Sequence, residues 1–376
     1  MRVDGELTRL AGTRAELERG VAEGLQSGGQ IYVARDGEVL ADAGFGEARP
    51  GEPMQREQAM FWLSSTKPFA ALAIARLWEQ GALDLDDPVA KHVPEFGAAG
   101  KERVTVLHLL THTGGIRMVD LGWPERGWDE IVARVCARKL EPGWIPGRKA
   151  GYHLGSSWFV LGEMVRRIDG RRFERWAREE LLEPIGATGS WIGVPPERLD
   201  AVRARLAPMF EIRPEGPRAL DWASERHLTS CSPGASGLGP MRELARLYTM
   251  LLGGGEIDGR RLLSPQTVAA VTARHRVGLV DQTFRTRLDW GLGVILDSKH
   301  YGDPDAPYQY GPHAGPRTYG HSGARSSTAF ADPDARMVVA VAVNGLTGDE
   351  VHRERFERLT RALYEDLGLA EPGASG

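Results

Sequence analysis

Polar and apolar positions along this chain follow two rhythms, and the change from one to the other marks its organisation. Between Glu6 and Leu25, the residues Leu7, Leu10, Leu17, Val21 and Leu25 recur at helical spacing and predict an amphipathic helix. Gln30–Arg35 and Glu38–Phe45 then alternate on either side of Asp36-Gly37, a strong two-residue turn signal, and predict a hairpin. From about Phe61 to Gly311 the helical period takes over. Residues 68–80, 129–139, 156–169, 173–182, 240–252 and 265–273 read as helices, separated by Gly/Pro clusters such as Glu141-Pro142-Gly143 and Ser232-Pro233-Gly234. Strands return at Trp290–Leu296 and in a second hairpin, Ser326–Ala331 and Met337–Val343 around the turn Asp332–Arg336. The run Met337–Val343 is apolar throughout, which predicts a central strand buried on both faces. Asp349–Leu367 reads as a closing helix, and the tail from about Glu371 as disordered.

Strands near both termini, each beside a terminal helix, with a helical block between them, predict an α/β (α+β) fold. Its antiparallel sheet would be flanked by the terminal helices and interrupted by a large helical insertion. Residues 1–60 and 312–376 would form the discontinuous sheet domain, together with the strand at 290–296, and residues 61–311 the helical domain. Clefts between two such units are common places for chemistry.

Composition narrows the function classes. The chain has 376 residues, 41% apolar and 26% charged, and a net charge of −4, which gives no reason to expect nucleic acid or an anionic membrane as partner. No apolar run is long enough to cross a bilayer, and the N-terminal stretch carries charges where a signal peptide would be apolar. Cys136 and Cys231 are the two cysteines, with neither metal-type spacing nor a disulfide framework. The expectation is a cytoplasmic protein working on a small molecule, with no metal and no organic cofactor. His108 and His112 stand four apart on a predicted helix, but no Glu follows His108 and no third ligand is evident, which argues against a zinc site.

Candidate chemistry begins at Ser64-Ser65-Thr66-Lys67. The residues from Pro68 to Gln80 contain no glycine and end at Gly81, so the tetrad falls at the start of a helix, where i and i+3 share a face. Pro68 is tolerated there because the first turn needs no donor from it. A serine attacks a carbonyl only if something removes its proton, and a lysine one turn away can do so. The same tetrad also fits an ordinary helix cap.

A second candidate is Tyr152, delivered by Pro146-Gly147 and a short loop just before the helix at Ser156. A phenol with a pKa near 10 is a poor base at neutral pH, but a neighbouring ammonium stabilises its phenolate. The third is Gly320-His321-Ser322-Gly323-Ala324, a strand edge of small residues that lets a substrate lie close and turns a free N–H toward a developing oxyanion.

These segments, with Val106–Ile116 (containing His112-Thr-Gly-Gly115) and Gly234-Ala-Ser-Gly-Leu238 leading into Leu251-Leu-Gly-Gly-Gly255, resemble in order and spacing the serine β-lactamase and penicillin-binding-protein-like superfamily. The resemblance is strongest to its class C β-lactamase-like branch, which includes family VIII carboxylesterases, D-aminopeptidases and acyltransferases, and it runs from about residue 28 to 367. It implies that Ser64 forms an acyl-enzyme, that Lys67 and Tyr152 share the proton, and that the backbone N–H groups of Ser64 and Ala324 form the oxyanion hole. His321, Ser322 and Gly323 would then face the substrate. Two positions depart from the pattern. Where the family commonly has Tyr-x-Asn, this chain has Tyr152-His153-Leu154, so an amide-holding asparagine is missing and positioning passes to His153 or Ser156. Where a permanent cation would grip a carboxylate stands His321, mostly neutral at pH 7. Both changes point to an ester or thioester, with transfer to an alcohol or amine acceptor, D-aminopeptidase or amidase activity, and a catalytically silent binding module as alternatives. The Tyr/Pro/Gly-rich loop from Asp303 to Pro316 either overhangs the cleft or is a solvated connection.

Overall fold

The computed structural model describes residues 1–303, 306–307 and 310–370. Part of the Asp303–Pro316 loop, and the tail from Glu371, lie outside the described residues. The principal elements, in chain order, are β1 (Val3–Glu6), α1 (Ala11–Ala22), β2 (Gly28–Arg35), β3 (Glu38–Arg49), α2 (Lys67–Glu79), α3 (Ser156–Asp169), α4 (Met241–Leu252), β4 (Ile295–Leu296), β5 (Tyr319–Gly323), β6 (Ser327–Asp332), β7 (Met337–Val343) and α5 (Asp349–Asp366).

The main sheet runs β1-β3-β2-β7-β6-β5-β4, with every neighbouring pair antiparallel. Asp36 and Gly37 both take positive φ (54° and 81°), as the tight turn between β2 and β3 demands. β7 lies between β2 and β6, in register from Met337 opposite Arg35 to Val343 opposite Gly29, and all seven of its residues are buried. Its odd-numbered residues Val339 and Val341 join Ile31, Val33 and Phe330 under the terminal helices α1 and α5. Its even-numbered residues Val338, Ala340 and Ala342 face the opposite way, against α4. Alanines on that face, Ala329 and Ala331 of β6 among them, let the helix come close. The terminal helices are tied end to end, since the Asp366 carboxylate accepts from the backbone N–H groups of Gly12 and Thr13 (2.9 and 2.7 Å) and so satisfies the start of α1.

On the α4 side, α2 buries ten of its thirteen residues, as a helix apolar nearly all round must, and packs against α3. No described helix is long and apolar enough to cross a membrane.

Three expectations need correction. The first helix begins at Ala11 rather than Glu6, because Val3–Glu6 pairs with Phe45–Asp42 as an edge strand. The strand expected over Trp290–Leu296 shrinks to Ile295–Leu296. Gly293 turns at φ 73° against α2, where a Cβ would lie 2.3 Å from that of Ala71. The helix expected over 173–182 is α-helical only through Phe173–Ala177 and widens into a π turn over Arg178–Leu182.

Candidate active site

The Ser64 turn is held by hydroxyl groups. Leu63–Thr66 is a 3₁₀ turn leading into α2, and Leu63 takes a left-handed φ of 52°, a costly conformation for a bulky residue. Around it, Thr66 Oγ1 donates to Leu63 O (2.6 Å) and Ser327 Oγ donates to Trp62 O (2.8 Å). Ser65 Oγ donates to His321 O at 3.2 Å and lies 3.1 Å from Ser327 Oγ. The turn preceding α2 is thereby fastened to β5 and β6. Gly323 permits this contact, since a Cβ there would sit 2.3 Å from Trp62 O. The approach sets Ser64 beside the end of β5, where Ala324 begins the turn to β6.

Lys67 Nζ lies 2.9 Å from Ser64 Oγ and donates to Gly234 O, also at 2.9 Å. The side chain is fully buried, and burial alone lowers its pKa to about 7. Gly234 is needed for this geometry, because a Cβ would meet Trp158 Cγ at 2.7 Å. The amine also lies 5.1 Å from the centre of the Tyr152 ring and 5.6 Å from that of Trp158. The structure thus gathers Ser64, Lys67 and Tyr152 at one place. Tyr152 is itself 1% exposed and packed among His112 (4.7 Å between ring centres), Phe284 (5.0 Å), Trp290 (5.9 Å) and His321 (6.2 Å).

His321 is buried, its Nδ1 2.9 Å from Ser322 O. Burial, then the nearby Lys67, drives its pKa down to about 3, so it is neutral at physiological pH and presents no cation. Ser322 and Ala324 line a cavity of about 360 Å³ together with Phe284, Thr328 and the start of α5. Ser322 Oγ lies 3.0 Å from Thr328 Oγ1 within it. A larger, arginine-rich cavity of about 920 Å³ along Gly170–Glu183 contains none of these groups.

His153 does not fit the substrate-contacting role expected of it. It is 0% exposed, its Nδ1 lies 2.5 Å from Ser157 Oγ, and its Nε2 accepts from the Ile116 N–H at 3.4 Å. Both ring nitrogens are used within the chain, and burial lowers the pKa to about 3. Ser156 is likewise turned inward, donating to Ile116 O. Leu154, by contrast, is 58% exposed. The alternation is local: the loop before α3 turns its second residue inward and its third outward.

Several neighbours were not read as functional from the sequence. His112, read as part of the Val106–Ile116 segment and as an unconvincing zinc ligand, packs its ring on Tyr152 and accepts the His153 N–H on Nδ1 at 2.9 Å. His108 accepts the Thr105 N–H as part of a helix capping box. Phe284 and Trp290 come from a segment far along the chain and carry no local signal of this role. Ser65 lay inside the tetrad, but a hydroxyl that anchors a turn has no signature of its own.

A serine on a turn fastened to the sheet, with a buried amine against its hydroxyl, fits the chain's place among serine hydrolases of the β-lactamase fold. The chain belongs to the Beta-lactamase family, whose model matches residues 14–363. The protein "Esterase/beta-lactamase LipL" of Mycobacterium tuberculosis is 28% identical over 345 residues, covering 85% of this chain and 77% of the relative. Among solved structures, a penicillin-binding protein homolog from Caulobacter crescentus superposes with a TM-score of 0.79 at 32% identity, covering 97% of this chain and 100% of the other. A family VIII carboxylesterase does so with a TM-score of 0.77 at 28% identity, again covering 97% and 100%.

Proposed function

We propose that this protein is an esterase acting on small, uncharged esters or thioesters through an acyl-enzyme on Ser64. The observation that carries this reading is Lys67, fully buried, 2.9 Å from Ser64 Oγ, with its pKa lowered to about 7. A good fraction of the amine is therefore neutral at pH 7 and takes the Ser64 proton as Oγ attacks the carbonyl carbon. The carbonyl oxygen becomes an oxyanion facing the N–H groups of Ser64 and Ala324. As the C–O or C–S bond to the leaving group breaks, the proton passes to it through Lys67 and Tyr152. Water, deprotonated by the same pair, then releases the acid and restores the serine.

An ester is favoured over an amide or a carboxylate-bearing substrate for two reasons. Exposed Leu154 offers no group to hold a substrate amide, and His321, neutral and buried, offers no charge to a carboxylate. The name of a structural neighbour above, carboxylesterase, supports the same choice, while that of the relative, esterase/beta-lactamase, covers both substrate types. Transfer of the acyl group to an alcohol or amine would differ only in the second nucleophile.

The test compares wild type with Ser64→Ala on p-nitrophenyl acetate and on D-amino-acid anilides, with a fluorophosphonate probe followed by intact mass. Ester turnover and labelling confined to the wild type are expected. Equal behaviour of the two proteins, or anilide turnover exceeding ester turnover, would overturn the reading.

A further inference from the structure

Tyr152 is held from outside every motif described above, by a turn that follows a short strand at Val280–Asp281. The Asp281 carboxylate is 0% exposed. Its Oδ1 accepts three backbone N–H groups, those of Tyr152 (3.1 Å), Thr283 (2.9 Å) and Phe284 (3.1 Å). Two residues on, Thr283 Oγ1 donates to the Tyr152 carbonyl at 3.2 Å, and between them the Gln282 N–H donates to Ala150 O at 2.9 Å. Both polar groups of the Tyr152 backbone are therefore taken by one three-residue turn, while Phe284 packs against the phenol ring.

The other carboxylate oxygen accepts from Arg276 Nη2 at 3.0 Å. That guanidinium is also buried; it donates through Nε to Leu288 O (3.0 Å) and through Nη1 to Thr111 O (3.3 Å), and it lies over the Trp290 ring. Thr111 precedes His112, whose carbonyl accepts the Gly151 N–H and whose ring packs on Tyr152. One ion pair thus ties together the three pieces of chain that surround the phenol.

We infer that Asp281 is a positioning residue for the reaction: by gripping the Tyr152 backbone, it sets where the phenol stands relative to Lys67 without itself meeting the substrate. A buried ion pair is by itself weak evidence even for stability. What distinguishes this one is where its turn is anchored: Asp281 Oδ1 accepts the Tyr152 N–H and Thr283 Oγ1 donates to the Tyr152 carbonyl, on a residue whose ring centre lies 5.1 Å from the Lys67 amine. Displacing a catalytic group by about 1 Å costs on the order of a hundredfold in rate, so the grip matters to turnover and not only to folding.

The inference rests on the proposed acyl-enzyme chemistry, and the experiment separates the two. The gap in p-nitrophenyl acetate turnover between wild type and Ser64→Ala fixes the scale; if there is no gap, both readings fall. Given the gap, Asp281→Ala should lower kcat about a hundredfold per labelled active site, with KM changed less than about threefold. Asp281→Asn keeps an oxygen for the three N–H groups but sets its amide NH2 against Arg276 Nη2, donor against donor, and should recover kcat only in part. In a Tyr152→Phe background, Asp281→Ala should cost less than about threefold more, because the group it positions is already gone. Unchanged kcat in Asp281→Ala, or losses that multiply fully with Tyr152→Phe, would overturn this inference and leave the esterase reading standing. Should Asp281→Ala not fold, Thr283→Val decides: it removes one bond to the Tyr152 carbonyl, a fall in kcat of about tenfold is expected, and wild-type kcat would overturn the inference.

Discussion

Lys67 Nζ stands 2.9 Å from Ser64 Oγ and equally far from the carbonyl of Gly234, so the amine is fixed between the group it serves and a backbone oxygen that cannot move independently. As an ammonium it donates to both. Once it loses a proton, its lone pair can accept the Ser64 hydroxyl while it continues to donate to Gly234. Burial makes that second state accessible near neutrality.

The pH dependence follows directly. Below pH 7 the folded enzyme carries an ammonium that cannot accept the serine proton, so kcat/KM for p-nitrophenyl acetate should rise through about pH 7 and then level off. His321, its pKa down at about 3, should add no inflection between pH 5 and 8. A rate flat across pH 5.5 to 8.5 would contradict the role given to Lys67. Lys67→Arg, charged at every accessible pH, should lose about 10²- to 10⁴-fold in kcat.

The same shift has a cost in stability. The folded pKa, about 7, lies below the ordinary 10.5, so between pH 7 and 10.5 the unfolded chain binds more protons and stability rises with pH. Below pH 7 the penalty is at its full size, and above 10.5 it is gone. Lys67→Met should flatten this slope and raise stability at pH 7 by about 1–3 kcal/mol, after allowing for the hydrogen bonds it removes. Denaturant unfolding at pH 7 and pH 9.5 measures both effects, and equal slopes in the two proteins would refute the assignment.

Gly323→Ala probes how closely β5 must approach the nucleophile turn. A Cβ would stand 2.3 Å from Trp62 O, forcing the strand end and the Ala324 N–H away from Ser64. A loss of about a hundredfold in kcat is expected, with the far-ultraviolet circular dichroism retained. Activity within threefold of wild type would show that the close contact is not required.

Leu154→Asn tests the reading of specificity. The side chain is 58% exposed, so stability should change by less than about 0.5 kcal/mol. Restoring an amide-holding group should raise the ratio of anilide to ester turnover several-fold. An unchanged ratio would mean that specificity is set elsewhere in the cleft.

The fold was legible where pattern and turn chemistry agreed. Asp36-Gly37 announced its hairpin, and the unbroken apolar run Met337–Val343 announced a strand covered on both faces. Edge strand Val3–Glu6 was not legible, since four residues interrupted by Gly5 show no alternation worth reading. Trp290–Leu296 misled because an apolar run with two glycines serves a tight turn as well as a strand. Ser64, Lys67 and Tyr152, which the structure brings together, could be picked out as candidates because their signals are local or bracketed by Pro and Gly. His153 could not, because which residues of a short loop face inward depends on partners, Ile116 and Ser157, that the loop itself does not specify. Asp281 had no mark at all, because the bond on which the inference rests, to the Tyr152 N–H, reaches more than a hundred positions back along the chain.

The pairing of β7 with β2 also governs how the polypeptide must emerge during synthesis. The hairpin of β2 and β3 is made first, yet one edge of it stays open until Met337–Val343, beyond the whole of residues 50–336, has been translated. Until that strand arrives the ribosome holds a nascent hairpin with Ile31 and Val33 uncovered and a row of backbone donors and acceptors unfilled. Native assembly of the main sheet thus waits on a strand made long after its partner, and the yield of active protein in a cell should respond to chaperone supply more steeply than its equilibrium stability would suggest.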